Sequence, residues 1–519
     1  MLNKIFYNLA FSLLAGIFAI FCFSFVGFIF KIPVNSVYPV LGMLIVLVTN
    51  YICCKKDCLN LQKIILSYVI LFISIFVFYF LSSTFYDYSY DGRAYHQAGI
   101  ILLKNGYNPI YDTAQAFYDR NYDFKFDIQI FIDNYPKFME IVAANIFALT
   151  DRVETGKILN YIIFMITFGY SFYIVDKYYK SKLSLLFAFL FCINPVVLSQ
   201  LSIYYSDGLI YELFIISLFA LIDITKAENI DYKPFMIMVM GLVMLSNIKF
   251  GGLLYAFGIL LFGLFLMLKY KKSIKPFLIS CLIIFGLIVV SGINPYFTNM
   301  KYGRHPLHPL VGNQKFDVMT INTPRQFINK SVPFTFFWST FSKTNNFMNF
   351  NNERIELKLP FTFDKKQILL QSEDTRIAGF GIFWSGILLL SFISLFFINW
   401  KEDKLTNYIL VFLLLTVLLN PINWWARYVP QFYAIPVFLI LLLNKNNKFF
   451  NKSLISVLVL SLILNSISYL YSVIAGRVIP YLKISSQKSV NMLLDLEKSD
   501  CIVSDLEKLR EKGIELNFK

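Results

Sequence analysis

Ten consecutive residues, Asp87-Tyr-Ser-Tyr-Asp91-Gly-Arg-Ala-Tyr-His96, hold two carboxylates, a guanidinium and an imidazole directly after a long apolar run. Charge at the point where a hydrophobic helix leaves a bilayer is costly unless it is paired or used. Asp87 and Asp91 are four residues apart, which on a helix puts them on one face at the membrane surface. A carboxylate in such a low-dielectric rim gains proton affinity and suits general-base work. An ordinary solvated loop is the plainer alternative. Arg93, Tyr95 and His96 add groups able to hold a polar substrate beside it.

Other polar groups recur between apolar runs. In Tyr204-Tyr-Ser-Asp207-Gly, Asp207 suits a helix cap or a substrate contact, and the two roles are compatible. The stretch Lys301-Tyr-Gly-Arg304-His305-Pro-Leu-His308-Pro concentrates cations and two of the three His. Such a cluster suits phosphate or pyrophosphate, which takes charge-assisted donors; a basic loop meeting lipid head groups is the plainer reading. Its spacing is wrong for a helical pair of metal ligands, so no metal residues are assigned. In Asn423-Trp-Trp-Ala-Arg427-Tyr428, the arginine beside tandem tryptophans reads as an aromatic belt with a snorkelling cation or as a clamp on an anionic head group. Lys137 in Tyr-Pro-Lys-Phe and Lys249 in Asn-Ile-Lys-Phe are further cations at the same level. Single lysines there are commonly anchors; their shared side of the membrane is the stronger point.

The elements that must position these residues are apolar helices. Of 519 residues 57% are hydrophobic, with 56 Phe and 33 Tyr, and mean hydropathy is +0.61. Apolar runs long enough to cross ~30 Å of hydrocarbon recur along the chain. We expect an all-α, polytopic membrane protein of thirteen spans, near 6–30, 37–54, 63–83, 157–177, 183–201, 208–224, 234–249, 252–269, 276–293, 377–399, 405–420, 432–444 and 452–475. The first run is too long for a signal-peptide core and is expected to stay as a span. The net charge of +15 follows lysine clusters in alternate connections, which argues for positive-inside topology and against a nucleic-acid partner. The N-terminus is then cytoplasmic. Residues 1–475 form one transmembrane domain with outer loops at 84–156 and 294–376, and 476–519 form a small outer tail, helical around 493–516. The apolar stretch 135–150 is too short to span and reads as an interfacial or half-buried helix. The seven Cys show neither zinc-site spacing nor a disulfide framework.

The order of the short motifs resembles the GT-C superfamily of polyprenyl-phosphate-sugar-dependent glycosyltransferases over roughly half the chain. An acidic motif follows an early span (Asp87, Asp91), then Gly106-Tyr-Asn-Pro109 and Tyr135-Pro-Lys-Phe, then Gly156-Lys-Ile-Leu-Asn160 before a span. Asn194-Pro195, Tyr205-Ser-Asp207, Asn247-Ile-Lys249-Phe and Trp425-Ala-Arg427-Tyr follow in order. The resemblance implies a catalytic carboxylate at Asp91 or Asp87, with Asp91 favoured because Gly92 permits close approach of substrate. It implies a lipid-phosphate contact at Lys137, although Lys137 itself stands where the motif's second Pro is usual. With Lys249, Arg304, His305, His308 and Arg427 it forms the candidate donor-phosphate set. Arg93, Tyr95, His96, Asp207 and Tyr428 form the candidate substrate-binding set, and loop 294–376 would select the acceptor. The expected partners are a polyprenyl-phosphate sugar, a glycan or lipid-linked acceptor, and membrane lipids. Polyprenyl phosphate is a competent leaving group, so a divalent metal is optional. An oligosaccharide ligase or polymerase acting on a lipid diphosphate is the nearest rival reading. A transporter is the more distant one, because the spans carry little charge and the polar residues gather at one face. The composition fits a bacterial inner membrane.

Overall fold

The computed structural model describes residues 2–122, 126–347, 354–445, 448–475 and 500–513, without the side chains of Val318 and Thr320. Among them the secondary structure is helical, with only isolated bridges pairing Ser342 with Leu357 and Asn345 with Ile377. Eight described helices are long and apolar enough to cross a membrane: Leu2–Ile29, Val37–Lys56, Leu61–Thr84, Val153–Tyr179, Asp207–Lys226, Phe250–Lys269, Ile274–Ser291 and Phe449–Val473. Each coincides with an expected span.

The remaining five expected spans are shorter or broken. Four fall on the short apolar helices Tyr232–Ser246, Trp384–Ser394, Lys404–Leu418 and Pro430–Leu443. The fifth, 183–201, divides into Ser184–Cys192 and Pro195–Gln200. Proline has no N–H to continue a helix and suits a first turn. Asn194 caps the restart by accepting from Val196 N at 3.0 Å, and its amide donates to Pro430 O at 3.0 Å. Expected span 377–399 starts late for a related reason. Gly381 has φ +105°, open to glycine without strain, and Asn465 of the last long helix accepts from Phe383 N (3.0 Å) and donates to Phe380 O (2.7 Å). The backbone before Trp384 is thereby held by a side chain.

Helix Asp207–Lys226 forms the centre, its apolar window wholly buried, with Val153–Tyr179 nearly so. Leu61–Thr84 and Ile274–Ser291 lie at the periphery and turn Phe72, Phe76, Phe80, Leu282 and Phe285 outward. Apolar surface of this extent is stable only against lipid. The stretch 135–150 holds the helix Phe138–Thr150, which is largely buried within the protein and packs against the first helix.

Successive apolar helices run back and forth, so the connections divide between two ends. One end holds lysine ion pairs: Lys177 with Asp223 (2.8 Å), and Lys226 and Lys445 with Asp403 (3.0 and 2.6 Å). The other end holds loops 84–156 and 294–376, the 420–430 turn and the C-terminal helix Ile502–Glu511. Of the expected tail helix, residues 500–513 are described and 493–499 and 514–516 lie outside the described residues.

Candidate active site

Arg427 organises the loop-bearing end. It sits in a 3-10 turn, Ala426–Tyr428, and its side chain is only 6% exposed. A buried guanidinium must be paired, and this one draws carboxylates from three distant segments. Nη2 donates to Asp91 Oδ2 at 3.0 Å and Nη1 to Asp374 Oδ1 at 2.7 Å. Asp207 Oδ2 lies 2.8 Å from Nε, out of line with its N–H, so that pair is electrostatic more than directional. Aromatic rings complete the enclosure: the guanidinium carbon is 4.7 Å from the Tyr205 ring centre and 5.4 Å from that of Trp425. The assembled charge is balanced. Lys249 Nζ holds the other oxygen of Asp207 at 2.9 Å, and Arg376 Nε holds the other oxygen of Asp374 at 2.6 Å.

The two acidic candidates of the first loop part company here. The helical turn begins after Asp87, so the two do not share a helix face; this corrects the reading from their spacing. Asp87 is fully buried, accepting from Ser89 N (2.8 Å), Ser89 Oγ (2.6 Å) and Tyr204 N (2.7 Å). Burial, together with Glu154, raises its carboxyl above the usual range against the pull of Lys157. Asp91 is 25% exposed and pairs through Oδ2 alone, leaving Oδ1 without a partner among the described residues. Gly92 also has a different reason from the expected one. A Cβ there would overlap Asp87 Oδ2 and Ser89 Oγ, so the glycine admits the buried Asp87.

Arg93 turns to the C-terminal helix, with Nη2 2.7 and 2.6 Å from the two oxygens of Asp505. Tyr95 is buried against Tyr135 and Phe131, and burial raises its phenol well above the usual range. His96 is buried, its Nδ1 2.5 Å from Glu140 Oε1. Lys137 Nζ donates to Asp133 O (3.0 Å), Tyr135 O (2.8 Å) and Asn294 Oδ1 (2.6 Å). Burial lowers its ammonium to about 8, only partly offset by Asp133 and Glu140. Arg304 is half-buried and bonds Asn134 Oδ1 at 3.1 Å, which brings the second loop onto the first beside Lys137. His305 is exposed and accepts from Leu307 N, while His308 is buried, its imidazole lowered by desolvation and by Arg304. Tyr428 stacks at the edge of Trp425, and its carbonyl accepts from Tyr255 Oη at 2.6 Å. Asp91, Asp207, Lys249, Arg427 and Tyr428 are therefore brought together. Lys137, Arg304, His305 and His308 form a neighbouring group, while Asp87 and Arg93 face the scaffold.

Asp374, Arg376 and Glu140 were not among the residues singled out from the sequence. Asp374-Thr-Arg376 stands at the edge of an apolar run, as Asp91 and Asp207 do, and Glu140 is an acid within an apolar stretch. Both signals were present. As to a divalent metal, no three His, Cys, Asp or Glu among the described residues come together as a ligand set. The carboxylates that do converge are bridged by the guanidinium of Arg427, so the donor set fits that cation and not a metal ion.

No protein-family model matches the chain, and no curated protein or solved structure does so either.

Proposed function

We propose that the protein is an integral membrane glycosyltransferase of GT-C type, moving a sugar from a polyprenyl-phosphate donor to a glycan or lipid-linked acceptor at the extracytoplasmic face of a bacterial plasma membrane. The observation that carries this reading is the Arg427 centre. A bundle of apolar helices gathers residues 91, 207, 374 and 427 at one end, and of the three carboxylates around Arg427, Asp91 is the one with an oxygen left unpaired among the described residues. Arg427 fixes Oδ2, which aims Oδ1 at an incoming hydroxyl. Asp91 takes the proton of the acceptor O–H, the oxygen bonds the anomeric carbon, and the bond from that carbon to the phosphate oxygen breaks with its electron pair. Polyprenyl phosphate departs. Arg304 and Lys137, neither ion-paired with an acid among the described residues, are the cations available to the departing phosphate.

The test is transfer by purified protein in nanodiscs from a panel of radiolabelled polyprenyl-phosphate sugars. Release of polyprenyl phosphate by the wild type, reduced about 10²–10⁴-fold in Asp91→Asn with folding retained, supports the reading. Consumption of a lipid-diphosphate oligosaccharide alone replaces it with a ligase or polymerase. No reaction with either donor, and wild-type behaviour of Asp91→Asn in liposome flux, would return the transporter reading.

A further inference from the structure

Loop 294–376 carries an apolar turn that the chemistry above does not use. Thr362 N donates to Leu359 O at 3.1 Å, which closes a tight turn around Pro360 and Phe361. Turns that face water are dominated by Gly, Pro, Asn, Asp and Ser, and this one keeps only Pro360 of that set. Phe361 has φ +65° at the position where such a turn takes glycine. Leu359 is 74% exposed, and Leu357, Phe361 and Phe363 are exposed beside it. Leu369, in the short helix Lys365–Leu369 that follows, is exposed as well. So many large apolar side chains turned outward from one short segment mark a surface that meets something other than water.

The neighbours of the segment identify the partner. The Phe361 ring lies directly on Gly386, where a Cβ would collide with it. Phe363 meets Phe383 edge to face at 5.1 Å, and Lys358 Nζ donates to Ile382 O at 2.6 Å. These contacts pin the turn to the start of the apolar helix Trp384–Ser394. Further on, Gln371 Nε2 donates to Ser468 O (3.2 Å) and Gln371 O accepts from Ser472 Oγ (3.0 Å). Both serines belong to Phe449–Val473, a helix long and apolar enough to cross a membrane, whose Ile467, Leu470 and Tyr471 are exposed at this level. At roughly 1.5 Å per residue, Ser468 sits about 7 Å inside the end of that helix. That is the depth at which an amphipathic segment lies in the boundary between head groups and acyl chains. Lys365 and Lys366 are exposed directly after the turn, where an interfacial segment presents cations to head groups. We propose that residues 357–369 are an interfacial anchor seated in the lipid leaflet at the loop-bearing end. Leu359 and Phe363 enter below the head groups, and Lys365 and Lys366 stand at the lipid phosphates. A second copy of the chain could cover an apolar turn too, but this surface continues the outward face of Phe449–Val473, which favours lipid. The anchor also bears on the site. Asp374 and Arg376 follow it closely in the chain and hold Arg427, so the leaflet sets the height of the Arg427 centre. Lipid seating holds for an enzyme and for a transporter alike.

The experiment uses the full chain in nanodiscs of phosphatidylethanolamine and phosphatidylglycerol, with a nitrobenzoxadiazole label on Leu359→Cys in a Cys58→Ser background. Leu359 has little packing to lose. The Cys58→Ser chain alone gives the background from the partly exposed Cys22, Cys53 and Cys281. Gln314→Cys, an exposed polar position of the same loop, gives the aqueous reference. At 359 the label should emit at shorter wavelength and be quenched roughly twofold or more better by acyl-chain nitroxides than by aqueous iodide, with the order reversed at 314. Lys365→Glu together with Lys366→Glu should cut the acyl-chain quenching at 359 by roughly twofold or more. Iodide quenching at 359 equal to that at 314 overturns the anchor. Unchanged acyl-chain quenching after the two charge reversals overturns the assignment of the lysines to lipid phosphate. A disulfide between two copies through Leu359→Cys, without quenching by lipid, gives the surface to a second copy and overturns the proposal.

Discussion

At the scale of single residues, the site depends on the fork of Arg427. Its planar guanidinium meets Asp91, Asp207 and Asp374 in three directions, which a lysine ammonium on a single flexible stem does not reproduce. Arg427→Lys keeps the charge and leaves at least one buried carboxylate without its partner. Breaking a buried pair costs about 3–5 kcal/mol, and a retained lysine recovers part of it. The expected outcome is a clear drop in the thermal unfolding midpoint and at least tenfold slower transfer, measured beside the exposed control Lys401→Gln, which should change neither. Asp87→Asn separates the two acids of the first loop. Its amide would set a donor against Ser89 N or Tyr204 N, both of which now donate to the carboxylate. Stability should fall by about 1–3 kcal/mol, whereas Asp91→Asn should leave the unfolding midpoint nearly unmoved and remove activity. A reversed pattern would transfer the base role to Asp87.

At the scale of elements, the turn 87–97 is held from below by Asp87 and from the side by the C-terminal helix. Gly92→Ala tests the first hold. The added methyl collides with Asp87 and Ser89, and crowding of this kind costs about 1–3 kcal/mol; hydrogen exchange should rise locally through 87–97. The second hold titrates. Glu511 Oε1 accepts from Val153 N at 2.5 Å, yet burial, with Glu154 and Glu507 nearby, sets its carboxyl at about 7. A carboxyl raised from 4.5 favours docking fully below 4.5, and that contribution is lost as pH rises through 7. Protection factors in 500–513, corrected for the intrinsic pH dependence of exchange, should therefore be lower at pH 8 than at pH 6, and Glu511→Gln should flatten the difference. Legibility from sequence followed the same division. Long apolar runs announce themselves because hydrocarbon thickness sets their length, and all eight long helices were readable. The break at Asn194-Pro195 was in plain view, but an uninterrupted hydropathy reading passes over it. Which of Asp87 and Asp91 turns inward depends on Tyr204, more than a hundred residues away, and no local pattern carries that. The π-helical turn after Asp91 was hidden for the same reason: its sequence suits an α-helix equally well.

At the scale of the whole molecule, the two ends differ in kind, and that difference is the argument for which way the protein sits. The end with Lys177, Lys226, Lys233 and Lys445 spends its cations on Asp223, on Asp403 and on Asn8 of the first helix. Burial alone would raise Asp403, but Lys226 and Lys445 hold it down at about 2, so this end is fully tied at any physiological pH. The loop-bearing end instead carries the Arg427 centre and the exposed His305. Lysine-rich connections stay on the cytoplasmic side of a bacterial membrane. The native thiols provide a direct check. Cys58 is exposed in the connection after Val37–Lys56, whereas Cys54, Cys192 and Cys501 are buried. A membrane-impermeant maleimide should leave Cys58 unlabelled in intact spheroplasts and modify it once the membrane is permeabilised. His305→Cys in a Cys58→Ser background should label in both states. Labelling of Cys58 in intact cells would invert the orientation, placing Asp91 and Arg427 in the cytoplasm, where a sugar nucleotide would compete with the lipid-linked donor as the natural substrate.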